Sequence, residues 1–482
     1  MKQFVQALFL LFIVHYGASA QEIVSVTETG RFSQQQIVAI YNLPMKNGAV
    51  VYKVNYTSVD AKGALDTLSG LLVVPDNANF TYPALVYQHG TSNCKTCVPS
   101  RFGSAGGEEG QLGLLFTGLG YVSIFPDFVG MGDSRGFQTY VQASTTFSAT
   151  DDMVAAIRAW APDNGISMNS QLFITGYSQG GYASMVSHQG MQQKYGAASV
   201  TAATHLSGPY SLSGVMRDLI LSDDVYVAPA FIVTTILGMN EVYEYFENLE
   251  DIFRPEYIDD IRDYYNDKMT LSTLNENLVR KIVENSDVLL IKNMIRQDVV
   301  DAIITNPNHR VNQILAENDA YKWKPESPTR IFYCQNDDIV SYRNSIVARD
   351  SMYARGADQN LVIAADVLPI GDHGGCVLPA LTQTLLFFSV YQSITTSLDH
   401  TPYDLHINVY PNPAQDYIYI DGYKEAQVHV IVWDMDARQR IVKDYNDTRA
   451  SIDVSSLESG MYILTLAGKD GLITNKKIII NR

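Results

Sequence analysis

Cysteine is scarce. Four thiols among 482 residues are too few to staple a scaffold that lacks a core of its own. Basic residues are also short, with 34 Lys+Arg against 51 Asp+Glu for a formal charge of −17. Nucleic acid demands a basic stripe facing its phosphates, and none is present, so no nucleic acid partner is expected. Long apolar runs are missing as well. Ala7–Val14 has 8 residues, where a spanning helix needs roughly 20, and no later stretch is long and apolar enough to cross a bilayer. What is abundant is ordinary core material: 46% of positions are hydrophobic, which excludes a disordered or collagen-like chain. The length fits one large α/β domain followed by a small one.

The first residues set the compartment. Lys2, the short apolar run and the small residues Ala18-Ser19-Ala20 form the three zones of a secretory signal peptide over residues 1–20, with cleavage before Gln21. The mature chain is therefore expected to be exported and to carry no transmembrane segment.

From about residue 48 the pattern alternates strands with helices. Val50–Tyr56 and Leu68–Pro75 have period two around a Lys-Gly turn and read as an antiparallel pair. Ala84–Gln88, Tyr121–Phe125 and Gln171–Thr175 are nearly continuous apolar runs, the mark of strands covered on both faces. Asp151–Trp160 reads as a helix opened by acidic residues at its positive end. Another helix follows from Gly180 to Met191. Strands alternating with helices imply a largely parallel sheet, hence an α/β fold over residues 21–398.

Residues 208 to about 325 interrupt the rhythm with mostly helical sequence, expected to be an inserted cap. Within it, 223–267 holds 12 acidic and 2 basic residues. The plain reading is a solvated face; the sharper one is a negative field over a cleft that disfavours anionic substrates. Strands resume at Arg330–Cys334 and Leu361–Ala364, and a helix is expected from Pro379 to Ile394. After a polar linker near 395–400, residues 404–482 turn strongly β, with short strands at Tyr417–Ile420, Gln427–Trp433, Tyr462–Leu466 and Lys476–Ile480, which reads as a small all-β sandwich.

Gly176-Tyr177-Ser178-Gln179-Gly180 follows a buried strand and opens a helix, the context that turns a G-x-S-x-G match into a nucleophile elbow. The turn is so tight that only glycine fits at its flanks, and it projects the Ser178 hydroxyl into the cleft. A serine needs a base. Among nine histidines, His373 in Gly371-Asp-His-Gly-Gly375 lies between a strand and a helix and follows Ser178 and an acid in the chain order of this fold. His205 reads as a core histidine and His89 as a loop-shaping one. The acid is expected at Asp337, in the D-x-x-V placement after a strand, with Asp338 as the alternative. The oxyanion requires two backbone N–H donors: the one after the nucleophile, Gln179, and one from the His89-Gly90-Thr91 loop, with Thr91 ahead of Gly90. These parts specify acyl transfer, with water as the default acceptor.

Residues 48–395 resemble an α/β-hydrolase, most closely the secretory lipase and esterase branch. The likeness rests on Tyr87-Gln-His-Gly-Thr91, the Gly-Tyr-Ser-Gln-Gly-Gly elbow, Pro126-Asp127-Phe-Val-Gly-Met-Gly-Asp133-Ser134 and Ser207-Gly-Pro-Tyr210. It implies a carboxylic-ester hydrolase with Ser178, His373 and Asp337 as its triad, Cys334 standing where glycine is usual. Asp127 and Asp133 read as turn and packing residues. The tail, through Val409-Tyr-Pro-Asn-Pro413, Leu457-Glu-Ser-Gly-Met-Tyr462 and Lys477–Arg482, is similar to the C-terminal sorting domain of type IX secretion. That implies the type IX secretion machinery as a partner and a place in the medium or on the outer-membrane surface of a Gram-negative cell. A carbohydrate-binding β module is the competing reading of the tail.

All four cysteines, Cys94, Cys97, Cys334 and Cys376, fall near the expected catalytic loops. Export favours disulfides, and three pairings are open. No cofactor or metal is expected, since a four-thiolate zinc site would need a second close-spaced cysteine pair. The readings carried forward are a secreted esterase or lipase acting on a small-molecule or lipid ester, an aminopeptidase or dipeptidyl peptidase of the same fold, a non-catalytic surface-binding protein, and an acyl transferase to an alcohol.

Overall fold

The structure, a computed structural model, describes residues 21–396, 407–422, 427–434, 438–447, 449–468 and 471–482. The expected signal peptide and most of the expected linker lie outside them.

Three strands lead: β1 (Ile23–Phe32), β2 (Ala49–Val59) and β3 (Leu65–Pro75), with α1 (Gln34–Tyr41) between the first two. Both β1–β2 and β2–β3 are antiparallel. Then come β4 (Phe80–Gln88), α2 (Leu112–Gly118), β5 (Val122–Pro126), α3 (Ala143–Trp160), β6 (Met168–Gly176), α4 (Gln179–Tyr195) and β7 (Ala202–Leu206). Six helices follow: α5 (Arg217–Leu221), α6 (Pro229–Tyr243), α7 (Pro255–Tyr265), α8 (Leu271–Ser286), α9 (Gln297–Thr305) and α10 (Arg310–Glu317). The sheet resumes with β8 (Thr329–Tyr333), α11 (Arg343–Ala354), β9 (Val362–Asp366), α12 (Val377–Ser389) and the short β10 (Thr395–Thr396).

The strands form one sheet in the order β1-β2-β3-β5-β4-β6-β7-β8-β9, with β10 added to β4. From β5 to β9 every neighbouring pair is parallel. Continuous apolar strands are needed wherever helices cover both faces, and β4, β5 and β6 supply them, while β7 is buried throughout although it carries Thr204 and His205. Leu85, Phe125 and Phe173 pack on one face, while Val86, Ile124 and Ile174 pack on the other.

The helical insertion between β7 and β8 has its own apolar cluster, including Val233, Leu237, Ile258, Ile261, Leu274 and Leu278. That cluster is why the insertion holds together as a cap. Phe231–Ile236, the most strand-like stretch of the cap in sequence, lies inside helix α6. Several acidic residues of the cap point outward into ion pairs: Asp223 with Lys292, Glu250 and Asp259 with Arg262, and Asp263 with Lys268. The solvated-face reading of this charge therefore fits its placement.

Two element expectations need correcting. Helix α3 starts at Ala143, eight residues before Asp151, because the Gln142 side chain accepts from Thr145 N–H at 2.8 Å and caps a Ser/Thr-rich first turn. Asp151 and Asp152 are thus mid-helix, not at a positive terminus. They are satisfied instead by Lys194 Nζ at 2.6 Å and Ser58 Oγ at 2.6 Å. Helix α12 runs Val377–Ser389, two residues earlier at its start than expected, and stops short of Ile394.

The tail folds as two antiparallel sheets. One is β11 (Asn408–Tyr410), β12 (Tyr417–Asp421) and β15 (Ala450–Asp453) in the order β11-β12-β15; the other is β14 (Gln439–Tyr445), β13 (Val428–Trp433), β16 (Gly460–Gly468) and β17 (Gly471–Ile480) in the order β14-β13-β16-β17. Period-two alternation sends Ile418, Ile420, Val430, Val432 and Leu464 into a shared core.

Candidate active site

Ser178 sits between β6 and α4 with φ +60 and ψ −119, a strained conformation for a residue with a side chain. Two contacts hold it there: its N–H donates to Leu206 O at 2.9 Å, and its carbonyl accepts from Tyr182 N–H at 3.1 Å. Gly180 lies flat against the end of β4, where a Cβ would come within 1.9 Å of Gln88 O and 2.9 Å of His89 O. No other residue fits, and that close approach brings the His89-Gly90-Thr91 loop beside the serine.

His373, in the loop between β9 and α12, places Nε2 2.9 Å from Ser178 Oγ. Its Nδ1 lies 2.9 and 2.8 Å from the two oxygens of Asp337. The Asp337 side chain is 1% exposed and that of His373 15%, so the imidazole bridges from a dry carboxylate to a half-open cleft. Ile339 N–H and Val340 N–H also donate to Asp337 Oδ1, at 3.0 and 2.8 Å, which fixes the carboxylate plane. Asp338 faces the same loop differently: its Oδ1 accepts the His373 backbone N–H at 3.1 Å. The three expected residues Ser178, His373 and Asp337 are thus in one hydrogen-bonded row, and Asp338 is outside it.

Two disulfides form, Cys94–Cys97 and Cys334–Cys376. The second ties the strand end that carries Asp337 to the loop that carries His373. Tyr177 adds a tie that its motif position alone does not announce. Its hydroxyl donates to His373 O at 2.6 Å, and burial pushes its pKa up.

The expected oxyanion donors differ in whether their N–H groups already have a partner. Gly90 N–H donates to the Glu109 carboxylate, at 2.9 and 3.2 Å, and is therefore occupied. Among the described residues the backbone N–H groups of Thr91 and Gln179 have no acceptor. The Thr91 hydroxyl pairs with Tyr140 OH at 2.7 Å, and Tyr140 lines the cavity that opens on Ser178. His89 is buried with Nδ1 2.7 Å from Gly90 O and Nε2 3.3 Å from Asp127 O, in keeping with a loop-shaping residue. Asp127 accepts from Ser69 Oγ at 2.6 Å and Ser100 N–H at 3.1 Å, and Asp133 pairs with Arg101 at 2.8 Å. Both therefore pack and shape turns. His205 is buried on Ser184 Oγ at 2.8 Å and His188 at 3.4 Å, as a core histidine should be.

The cavity at Ser178 is walled by Leu212, Met216, Ile220, Phe231 and Ile232 among others, and none of its described lining residues is charged. A second apolar cavity adjoins it inside the cap, sharing Ile220, Ile232, Thr235 and Leu315. Among the described residues no cluster of three metal-ligating side chains occurs, and no helix is long and apolar enough to cross a membrane.

A strand–serine–helix elbow on a parallel sheet, with a histidine and a buried acid delivered by later loops, defines an α/β-hydrolase. The chain belongs to the secretory lipase family, whose model matches residues 113–374, and so to the ester-hydrolysing members of that fold. Residues 408–481 match the secretion system C-terminal sorting domain, which makes this a secreted or cell-surface protein. Among curated proteins there is no match. Solved structures with the same fold include a Legionella pneumophila protein described as a hydrolase, at 22% identity and TM-score 0.68 over 76% of this chain and 97% of that one. The rice cell wall degrading esterase LipA from Xanthomonas oryzae aligns at 19% identity and TM-score 0.66, covering 77% and 99% of the two chains. Candida antarctica lipase A in its closed state follows at 14%, TM-score 0.55, covering 77% and 81%.

Proposed function

We propose that the protein is a secreted serine hydrolase that cleaves carboxylic esters through an acyl-enzyme. The observation that carries this reading is the row Ser178 Oγ–His373 Nε2 at 2.9 Å and His373 Nδ1–Asp337 at 2.8 Å. Ser178 Oγ attacks the ester carbonyl while His373 Nε2 takes its proton. Asp337 holds the imidazole in the tautomer with the proton on Nδ1 and stabilises the imidazolium that forms. The tetrahedral oxyanion accepts the Thr91 and Gln179 N–H groups. Collapse breaks the C–O bond to the alcohol, which leaves with the proton from His373. Water then attacks the acyl-Ser178 carbonyl, gives its proton to His373, and the acid is released as the serine recovers its hydrogen.

The uncharged cavity beside Ser178 supports an apolar acyl group, and its neighbour inside the cap extends the room for one. Neutral esters are expected to be the better substrates because the described lining of the cavity beside Ser178 carries no charged residue. Residues 21–398 are assigned to the hydrolase, about 208–325 of them to the cap, and 404–482 to a tail that engages the type IX secretion machinery. The test is a kcat/KM series on p-nitrophenyl esters from acetyl to long acyl, with a feruloyl ester and aminoacyl anilides alongside. Each methylene that finds the apolar wall adds ~1–3 kcal/mol, so kcat/KM should climb beyond four carbons while anilides stay uncut. An optimum at two carbons, or anilide cleavage at ester-like rates, contradicts the reading.

A further inference from the structure

Behind the oxyanion loop, two successive peptide groups are fastened from different sides. The Gly90 N–H, in the 89–90 peptide, donates to both oxygens of Glu109. The Gly90 carbonyl, in the 90–91 peptide, lies 2.7 Å from His89 Nδ1. A trans peptide points its carbonyl and its N–H in opposite directions, so holding Gly90 O against His89 fixes the direction of Thr91 N–H. Glycine has the widest backbone freedom of any residue. Without a partner for its N–H, Gly90 can rotate and carry Thr91 with it. Glu109 supplies that partner from the short helical turn before α2, and its Oε1 is also within 3.3 Å of Tyr87 OH on β4.

We propose that Glu109 is a positioning residue for the acyl-transfer step: its carboxylate clamps the Gly90 peptide so that Thr91 N–H stays aimed at the developing oxyanion. The inference rests on the reading of Thr91 and Gln179 as the oxyanion donors. A carboxylate behind an oxyanion site would be harmful if its charge were unshielded. Here the Gly90 peptide stands between it and Thr91, and Tyr87 OH and two Gly90 contacts engage its oxygens. Burial raises the Glu109 pKa, while the nearby His89 and these hydrogen bonds oppose the rise. The space is also close-fitting, since a Cβ on Gly90 would sit 3.4 Å from Glu109 Oε1 and 3.6 Å from Tyr177 O.

The test uses the full chain and three variants, Glu109→Ala, Glu109→Gln and Glu109→Asp, assayed on p-nitrophenyl butyrate with Tm measured in parallel. Fluorophosphonate labelling of wild type at Ser178 is scored first; its absence sinks the acyl-enzyme reading and this proposal with it. With labelling established, Glu109→Ala should lose kcat by roughly 10- to 100-fold, the scale of a small misplacement at a reacting centre, with KM within about threefold of wild type. Glu109→Gln should recover most of the loss, because its amide oxygen still accepts Gly90 N–H. If Glu109→Ala does not fold, Glu109→Asp, which keeps the charge but withdraws it by one methylene, should show the same kcat loss. Wild-type kcat in Ala or Asp overturns the proposal. So does a Gln variant as impaired as Ala, or a parallel loss of kcat and KM that tracks Tm alone.

Discussion

Asp337 and Asp338 are neighbours in the chain with divided tasks: the first meets the imidazole of His373 and the second its backbone N–H. Asp337→Asn is therefore expected to lower kcat by about 10⁴, the cost of the wrong histidine tautomer, whereas Asp338→Asn should cost less than about tenfold. Stopped assays on one ester compare the two directly, and equal losses would contradict the division. That Ser178, His373 and Asp337 would meet was legible because a nucleophilic triad would restrict each to one residue type in one chain context, and the structure places the three within hydrogen-bonding distance. The sequence already favours Thr91 over Gly90, but the carboxylate that occupies the Gly90 N–H, Glu109, was not legible there, since no motif links it to Gly90. Tyr177 was legible only as part of the elbow. Its hydroxyl contact to His373 O spans 196 positions, a distance no local pattern encodes.

At the scale of elements, the fold was readable wherever burial imposed a period. The strands β4, β5, β6, β8 and β9 and the tail strands β12, β13, β16 and β17 follow from such patterns. The start of α3 was not readable, because Ser/Thr residues favour caps and turns over helix interiors and Gln142 is an uncommon cap. The pairing of the cysteines was equally hidden until the acid and histidine loops were in place. Cys334 and Cys376 are both fully buried and close a loop of 42 residues. Replacing both with serine should lower stability by about 4 kcal/mol by the chain-entropy argument. It should also reduce kcat in the protein that remains folded, because the loops bearing Asp337 and His373 lose their tie. Denaturant melts and kcat on the double variant check both, and unchanged stability would argue against the staple.

The whole molecule carries a buried histidine pair under the elbow helix whose state depends on pH. Burial holds His188 down at about 3 and His205 well below its ordinary value. Above pH ~6.5 both folded and unfolded chains leave these rings neutral. As pH falls from there towards 3, the unfolded chain takes up protons that native His188 refuses, so stability is lost across that window. Burial acts in the opposite sense on Asp127 and Glu109, whose raised pKa values favour the native state in acid. Tm is expected to drop between pH 7.5 and 5, and His188→Gln should flatten the drop. A tail built for sorting further implies that a chain lacking residues 404–482 fails to reach the cell surface, read by fractionation. The acyl-enzyme itself is tested most directly by intact-mass and peptide mapping after reaction with a fluorophosphonate. One adduct per chain is expected, on the peptide containing Ser178, with both adduct and ester hydrolysis abolished in Ser178→Ala. An adduct elsewhere, or ester turnover that survives in Ser178→Ala, would contradict the account.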